Sequence, residues 1–236
     1  MKYLVLFDID GTILNFRHGI AKQLFAEMLK ELFGRDVPDS AIPQFHGMTD
    51  LQIIRSISEN IGISYQDTIE LIPQIWKKML VMFQQHSLPE NVTVLPGVPD
   101  LIKTLSENDE VRLGLITGNF LENAYLKLSI AGLDSYFPTG AFGCDSEDRN
   151  MLPPIAIMRI NQHYNTQLFA SHNTIIIGDT HRDIECARKN GIKVIAVATG
   201  GFTNEELNSQ APDAVLNDLG DTSYSLKTIY SLLNSN

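Results

Sequence analysis

Tyr3-Leu4-Val5-Leu6 is an unbroken apolar run near the start of the chain. A run so short and so uniformly apolar predicts a strand buried on both faces, as in the centre of a parallel sheet. After Thr12 the spacing changes. Ile20, Leu24, Phe25, Met28, Leu29 and Leu32 recur every three or four residues, which predicts an amphipathic helix ending near Gly34. Helical spacing continues through residues 50–60, with Leu51, Ile54 and Ile57, and through residues 65–86, where Pro73 is placed to break or kink the helix. Between about Asn15 and Asn91 the pattern shows no convincing strand. An all-helical segment is therefore inserted directly after the first strand.

From Val94 onward apolar runs and helical patterns alternate. Pro96-Gly97-Val98-Pro99 is a turn into a helix carrying Leu101, Ile102 and Leu105. Strands are predicted at residues 111–116, 141–143, 174–177, 193–198 and 214–216. Helices are predicted at 121–131, 153–163, 182–189 and 223–233, with Gly132 and Gly191 closing two of them. This alternation predicts an α/β fold: a Rossmann-like parallel sheet with helices on both faces. The predicted core is residues 1–14 and 93–236, and the predicted helical cap is residues 15–92. Ligands of such sheets bind at the carboxyl ends of the strands.

Four strand ends carry polar groups that this topology would bring together. They are Asp8 and Asp10, Thr117-Gly118-Asn119, Arg149, and Gly178-Asp179-Thr180-His181-Arg182-Asp183. Asp8 and Asp10, two apart at the end of a strand, point the same way. Two bare carboxylates side by side repel each other and lose solvation, and a hard cation with oxygen ligands is the natural compensation. Gly11 lets the chain turn sharply after them.

Asp8 is the candidate nucleophile, since a carboxylate attacking phosphorus splits one hard step into two. Asp10 is the candidate general acid and base. Thr117 and Gly118 can present a hydroxyl and backbone N–H groups to a phosphoryl oxygen at the start of the next helix. Arg149 would supply fixed positive charge. Asp179 and Asp183, four apart, would share one face if a helix starts there, and with Asp8 they make an oxygen-rich site suited to Mg²⁺.

The net charge of −10, from 28 acidic against 18 basic residues, argues against nucleic-acid or membrane-surface partners. No apolar run approaches a membrane span. Met1-Lys2 leads straight into the first strand, so no signal peptide is visible. Cys144 and Cys186 form no ligand-like cluster, and a reduced, cytoplasmic protein is the simpler reading. The oligomeric state is not legible.

These motifs resemble the haloacid-dehalogenase superfamily, in particular its phosphoglycolate-phosphatase-like branch, which has a helical cap after the first strand. Asp8-Ile9-Asp10-Gly11-Thr12 resembles the first motif, Leu115-Ile116-Thr117-Gly118-Asn119 the second, and Gly178-Asp179-Thr180 with Asp183 the fourth. The resemblance spans essentially the whole chain. It implies Asp8 as nucleophile, Asp10 as acid/base, and Mg²⁺ held by Asp8, the Asp10 backbone carbonyl and Asp179. Asp183 is implied as a supporting or direct ligand. It also implies a phosphate site made by Gly11, Thr12, Thr117, Gly118, Asn119 and Arg149.

Two positions depart from the pattern. Arg149 stands where the family has a lysine, in Asp148-Arg149-Asn150-Met151-Leu152-Pro153-Pro154, and keeps the charge but not the geometry. Asn15-Phe16 stands where many relatives have Asp-Ser.

The expected activity is a Mg²⁺-dependent phosphatase acting on a small phosphorylated metabolite: phosphoglycolate-like, a sugar phosphate or a nucleotide. A β-phosphoglucomutase-like phosphotransferase is the first alternative, and a non-catalytic binding protein the second. Dehalogenases of the superfamily lack the second aspartate. His18, His46 and His181 read as structural or solvent-facing, Thr49 as a helix N-cap, and Trp76, Met79, Met82 and Phe83 as cap core. The resemblance also makes His46-Gly47-Met48-Thr49-Asp50 a candidate for substrate specificity. The acidic cluster 145–148 reads as a solvated loop.

Overall fold

In a computed structural model, which describes residues 2–86 and 88–235, strand β1 (Tyr3–Phe7) is buried along its whole length. Its side chains alternate between two apolar clusters. Tyr3, Val5 and Phe7 face one side, and Leu4 and Leu6 the other. Burying one such side chain is worth about 1.5–3 kcal/mol, so this strand anchors both layers.

The other strands are β4 (Val111–Ile116), β5 (Gly140–Ala141), β6 (Thr174–Gly178), β7 (Lys193–Val197) and β8 (Ala214–Leu216), in a parallel six-stranded sheet ordered β5-β4-β1-β6-β7-β8. Helices α4 (Val98–Ser106), α5 (Leu121–Ile130) and α9 (Thr222–Asn234) cover one face. Helices α6 (Leu152–His163), α7 (His181–Lys189) and α8 (Asn204–Ser209) cover the other. The chain leaves β1 toward β4 and later returns to its opposite edge at β6, so the crevice at the carboxyl end of β1 is a topological switch point.

The insert holds α1 (Ile20–Phe33), α2 (Asp50–Asn60) and α3 (Tyr65–His86). Their apolar stripes meet in a third cluster: Leu24, Phe25, Met28 and Leu29 of α1, Ile53, Ile54 and Ile57 of α2, and Ile75, Met79 and Phe83 of α3. Helix α3 continues through Pro73 as one element. Met79 and Phe83 are cap core, with Trp76 and Met82 packed against them.

The expectation of no strand between 15 and 91 is corrected at one end. Leu14–Phe16 forms β2, which pairs antiparallel with β3 (Val92–Val94). The three-residue strands are too short for an alternation signal in the sequence, and only pairing across 78 residues creates them (Leu14 with Val94 is the widest pair, at 80). This ribbon joins the cap to the sheet. The cap cluster also takes in Phe120 from the core, fully buried 5.4 Å from Trp76 between ring centroids.

Candidate active site

Asp8 follows β1 directly, and its amide donates to the Ile177 carbonyl of β6 at 2.9 Å. Its carboxylate is therefore delivered to the switch point by the ladder itself. Asp179 follows β6, and Asp183 lies in the first turn of α7, where it forms a capping box with Thr180. The Asp183 Oδ2 accepts from the Thr180 amide at 3.0 Å and its hydroxyl at 2.6 Å. Its Oδ1 accepts from the Arg149 guanidinium at 2.6 Å, and that same nitrogen lies 3.2 Å from Asp8 Oδ1.

Asp8, Asp179 and Asp183 each offer a carboxylate oxygen within 4.8 Å of the others, and all three are buried. Burial pushes the Asp8 carboxyl up to about 7; Arg149 opposes this, while Asp183 and Asp10 add to it. Asp179 is raised well above its usual range by burial first, then by Asp8 and Asp183. Burial alone would lower Arg149, but the Asp183 and Asp8 carboxylates outweigh it and raise it. Three carboxylates with one cation among them, offering only oxygen atoms, fit a hard divalent ion.

Other groups have different partners from those the sequence suggests. The Thr12 hydroxyl donates to Asp179 Oδ1 at 3.1 Å and steadies that carboxylate, rather than facing the cavity. The Asn119 side-chain amide donates to Asp10 Oδ2 at 2.6 Å and to Thr117 Oγ1 at 2.8 Å. Thr117 Oγ1 also receives the Asn119 backbone N–H at 3.3 Å. With two donors on its oxygen, the Thr117 hydroxyl is left to act as a donor.

Gly118 is explained by packing as well as by anion approach. A Cβ there would lie 2.0 Å from the Met48 carbonyl oxygen, so glycine lets the cap loop close on this turn. Gly11 has φ +83°, and a Cβ would strike the Asp179 carboxylate.

Two residues at the site have partners that their neighbours in the sequence do not foretell. Lys127 of α5 is buried and places its ammonium 2.8 Å from both Asp10 oxygens. It falls on the buried stripe of its helix, with Ala124 and Leu128, and a charge on an apolar stripe is the signal that marks it. Asp50, at the start of α2, accepts from the Phe120 amide at 2.7 Å, while its own amide donates to the Gly118 carbonyl at 2.7 Å. Thr49 is the N-cap, as its sequence suggests.

The acidic stretch 145–148 is a loop, but only Asp148 in it is exposed. Asp145 forms a two-pronged pair with Arg159 at 2.6 and 2.7 Å, Glu147 pairs with Arg55, and Asp148 caps the turn at Asn150. Arginines from α6 and α2, outside the stretch itself, account for the difference.

Asp8, Asp10, Thr117, Arg149 and Asp179 line one cavity of about 270 Å³ between core and cap. Residues 5–197 match the model of the haloacid dehalogenase-like hydrolases. The chain belongs to that family. It is 23% identical over 223 residues to a pyrophosphatase PpaX from Oceanobacillus iheyensis, covering 92% of this chain and 93% of the relative. It is 25% identical over 221 residues to a phosphoglycolate phosphatase from Aquifex aeolicus, with 92% and 93% covered. The fold is also that of a β-phosphoglucomutase from Clostridium difficile, with a TM-score of 0.71, 16% identity and 98% of each chain covered. This haloacid dehalogenase-like protein is a hydrolase of phosphoric esters with a helical cap. No helix among its described residues is long and apolar enough to cross a membrane.

Proposed function

We propose that this enzyme is a Mg²⁺-dependent phosphatase of a small phosphorylated metabolite, working through an aspartyl-phosphate on Asp8. The observation that carries this reading is the Asp8 carboxylate at the mouth of β1, held 3.2 Å from Arg149 and clustered with Asp179 and Asp183. Asp8, Asp179 and Asp183 would hold the ion, with the Asp10 carbonyl as a further ligand. When bound, the ion supplies positive charge that offsets repulsion between an anionic nucleophile and an anionic substrate.

The chain's own groups account for the rest. An Asp8 oxygen bonds to phosphorus as the bond to the leaving oxygen breaks, and Asp10 gives that oxygen a proton. Water then attacks the phosphorus, Asp10 takes its proton, and the Asp8–phosphorus bond breaks to release phosphate. The Thr117 hydroxyl donates to the phosphoryl group. Arg149 lines the cavity and would supply fixed positive charge to the phosphoryl group. Residues 15–92 act as the cap that excludes water from the first step, and residues 1–14 and 93–236 as the catalytic core.

Arg17, His18 and Lys22 line the cap side of the same cavity. That charge favours substrates with a second anionic group, as in the pyrophosphate and phosphoglycolate for which the relatives are named. Two unpaired cysteines support a cytoplasmic setting. Phosphate release from a metabolite panel, with Mg²⁺ or EDTA, tests the reading. Release needing both Mg²⁺ and Asp8 supports it; an Asp8→Asn enzyme of normal activity overturns it.

His18 on the cavity wall favours one alternative, a phosphotransferase returning the phosphoryl group to a sugar. An absolute requirement for a bisphosphate activator would select that reading.

A further inference from the structure

Among the described residues, Lys127 is the one cation paired with Asp10, and nothing in the reaction as written uses it. Its side chain is only 5% exposed, whereas that of Asp10 is 40% exposed. An ammonium has three donors, and all three are spoken for: Asp10 Oδ1, Asp10 Oδ2 and Asn119 Oδ1, each at 2.8 Å. The Asn119 amide closes the ring by donating to Asp10 Oδ2 and extends it to Thr117. The stem is confined as well, with Nζ 5.4 Å from the Phe16 ring of the ribbon and 5.8 Å from the Phe83 ring of the cap.

A partly exposed carboxylate lining a cavity would ordinarily sample several rotamers. Here it is held at both oxygens by a buried group that cannot itself move far. The held form accepts hydrogen bonds at both oxygens, which is the form that takes a proton from water.

We propose that Lys127 is a positioning residue for Asp10, fixing its carboxylate to activate the water that hydrolyses the aspartyl-phosphate. This rests on the phosphatase reading above. In that step Asp10 removes a proton from water, the new oxygen–phosphorus bond forms, and the bond from Asp8 to phosphorus breaks. Lys127 touches neither water nor phosphorus and acts only through the carboxylate. Its loss should therefore slow the second half-reaction and spare the first. A buried ion pair that served stability alone would lower the melting temperature without changing the balance between the two steps.

The test is rapid-mixing kinetics with p-nitrophenyl phosphate and Mg²⁺, whose leaving group departs with little help from an acid. Wild-type turnover that vanishes in Asp8→Asn is scored first and belongs to the phosphatase reading alone. In Lys127→Met, the expected result is a burst of nitrophenol close to one equivalent. It should be followed by a steady rate lowered about 100-fold, the size of a general-base contribution, with kcat/KM within about fivefold of wild type. Acid quenching should trap the phosphorylated protein. Lys127→Arg, which keeps a buried cation and guards against a variant that fails to fold, should recover at least tenfold of the lost rate and shrink the burst. Unchanged kcat in folded Lys127→Met, or equal losses in kcat and kcat/KM without a burst, overturns the proposal.

Discussion

The carboxylate of Asp50, at the start of cap helix α2, accepts a 2.7 Å hydrogen bond from the Phe120 amide of the core. Together with the Asp50 amide on the Gly118 carbonyl, this grips both ends of the turn that presents Thr117 and Asn119. The cap thus takes part in shaping the floor of the cavity as well as its roof. Thr49 adds a bond to the Glu147 carbonyl at 3.0 Å, and Trp76 donates to Glu122 at 2.6 Å, so the same seam is pinned on both flanks.

Asp50 makes stability depend on pH. Burial raises its carboxyl from the ordinary 3.8 to about 7, against the opposing Phe120 bond and the charge of Lys127. The folded state then binds a proton that the unfolded state releases, so stability from this group is full below pH ~4 and falls as pH rises through about 7. Asp50→Asn keeps the acceptor and never ionises. Urea unfolding should show Asp50→Asn gaining on wild type between pH 4 and 7, by up to roughly 4 kcal/mol, with no further change above pH 8. A constant difference across that range would count against the assignment. Asp50→Ala leaves the Phe120 N–H without an acceptor, which costs about 1–3 kcal/mol. Trp76, the single tryptophan, should report that loosening as a red-shifted emission.

Among the described residues, Arg149 is the only cation in direct contact with Asp8 and Asp183. Arg149→Met leaves these carboxylates buried without a counter-charge, at a cost of about 3–5 kcal/mol. A divalent ion among the same oxygens would replace the missing charge. Thermal unfolding of Arg149→Met should therefore show a large loss in EDTA and a smaller one in excess Mg²⁺. Equal losses in both buffers would argue against a cation held by this cluster.

Gly118→Ala forces a Cβ to within 2.0 Å of the Met48 carbonyl oxygen, a backbone atom with little room to yield. The seam must open to accept it. Overpacking of this kind costs about 1–3 kcal/mol, and phosphate release should fall at least tenfold, as misplacement of binding groups by about 1 Å does. Normal activity in Gly118→Ala would mean that the grip of the cap on this turn is dispensable.

The parallel sheet, the helical insert and the strand ends that carry Asp8, Thr117 and Asp179 were all legible in the chain. The unbroken apolar run of β1 and the three-to-four spacing of α1 and α2 are local patterns, set by the geometry of a strand or a helix turn. A parallel topology then sends the strand ends to one edge, whatever the details of packing. What those polar side chains bind was decided only by the tertiary structure. Thr12 turns to Asp179, Asn119 to Asp10 and Thr117, and Arg149 to Asp183 as well as Asp8. Lys127 meets Asp10 across 117 residues and Asp50 meets Phe120 across 70. A buried polar group must find a partner or lose the solvation it gave up, but the sequence near it does not say which partner comes within reach. That depends on how closely cap and core pack, and on glycines such as Gly118 that let two backbones approach.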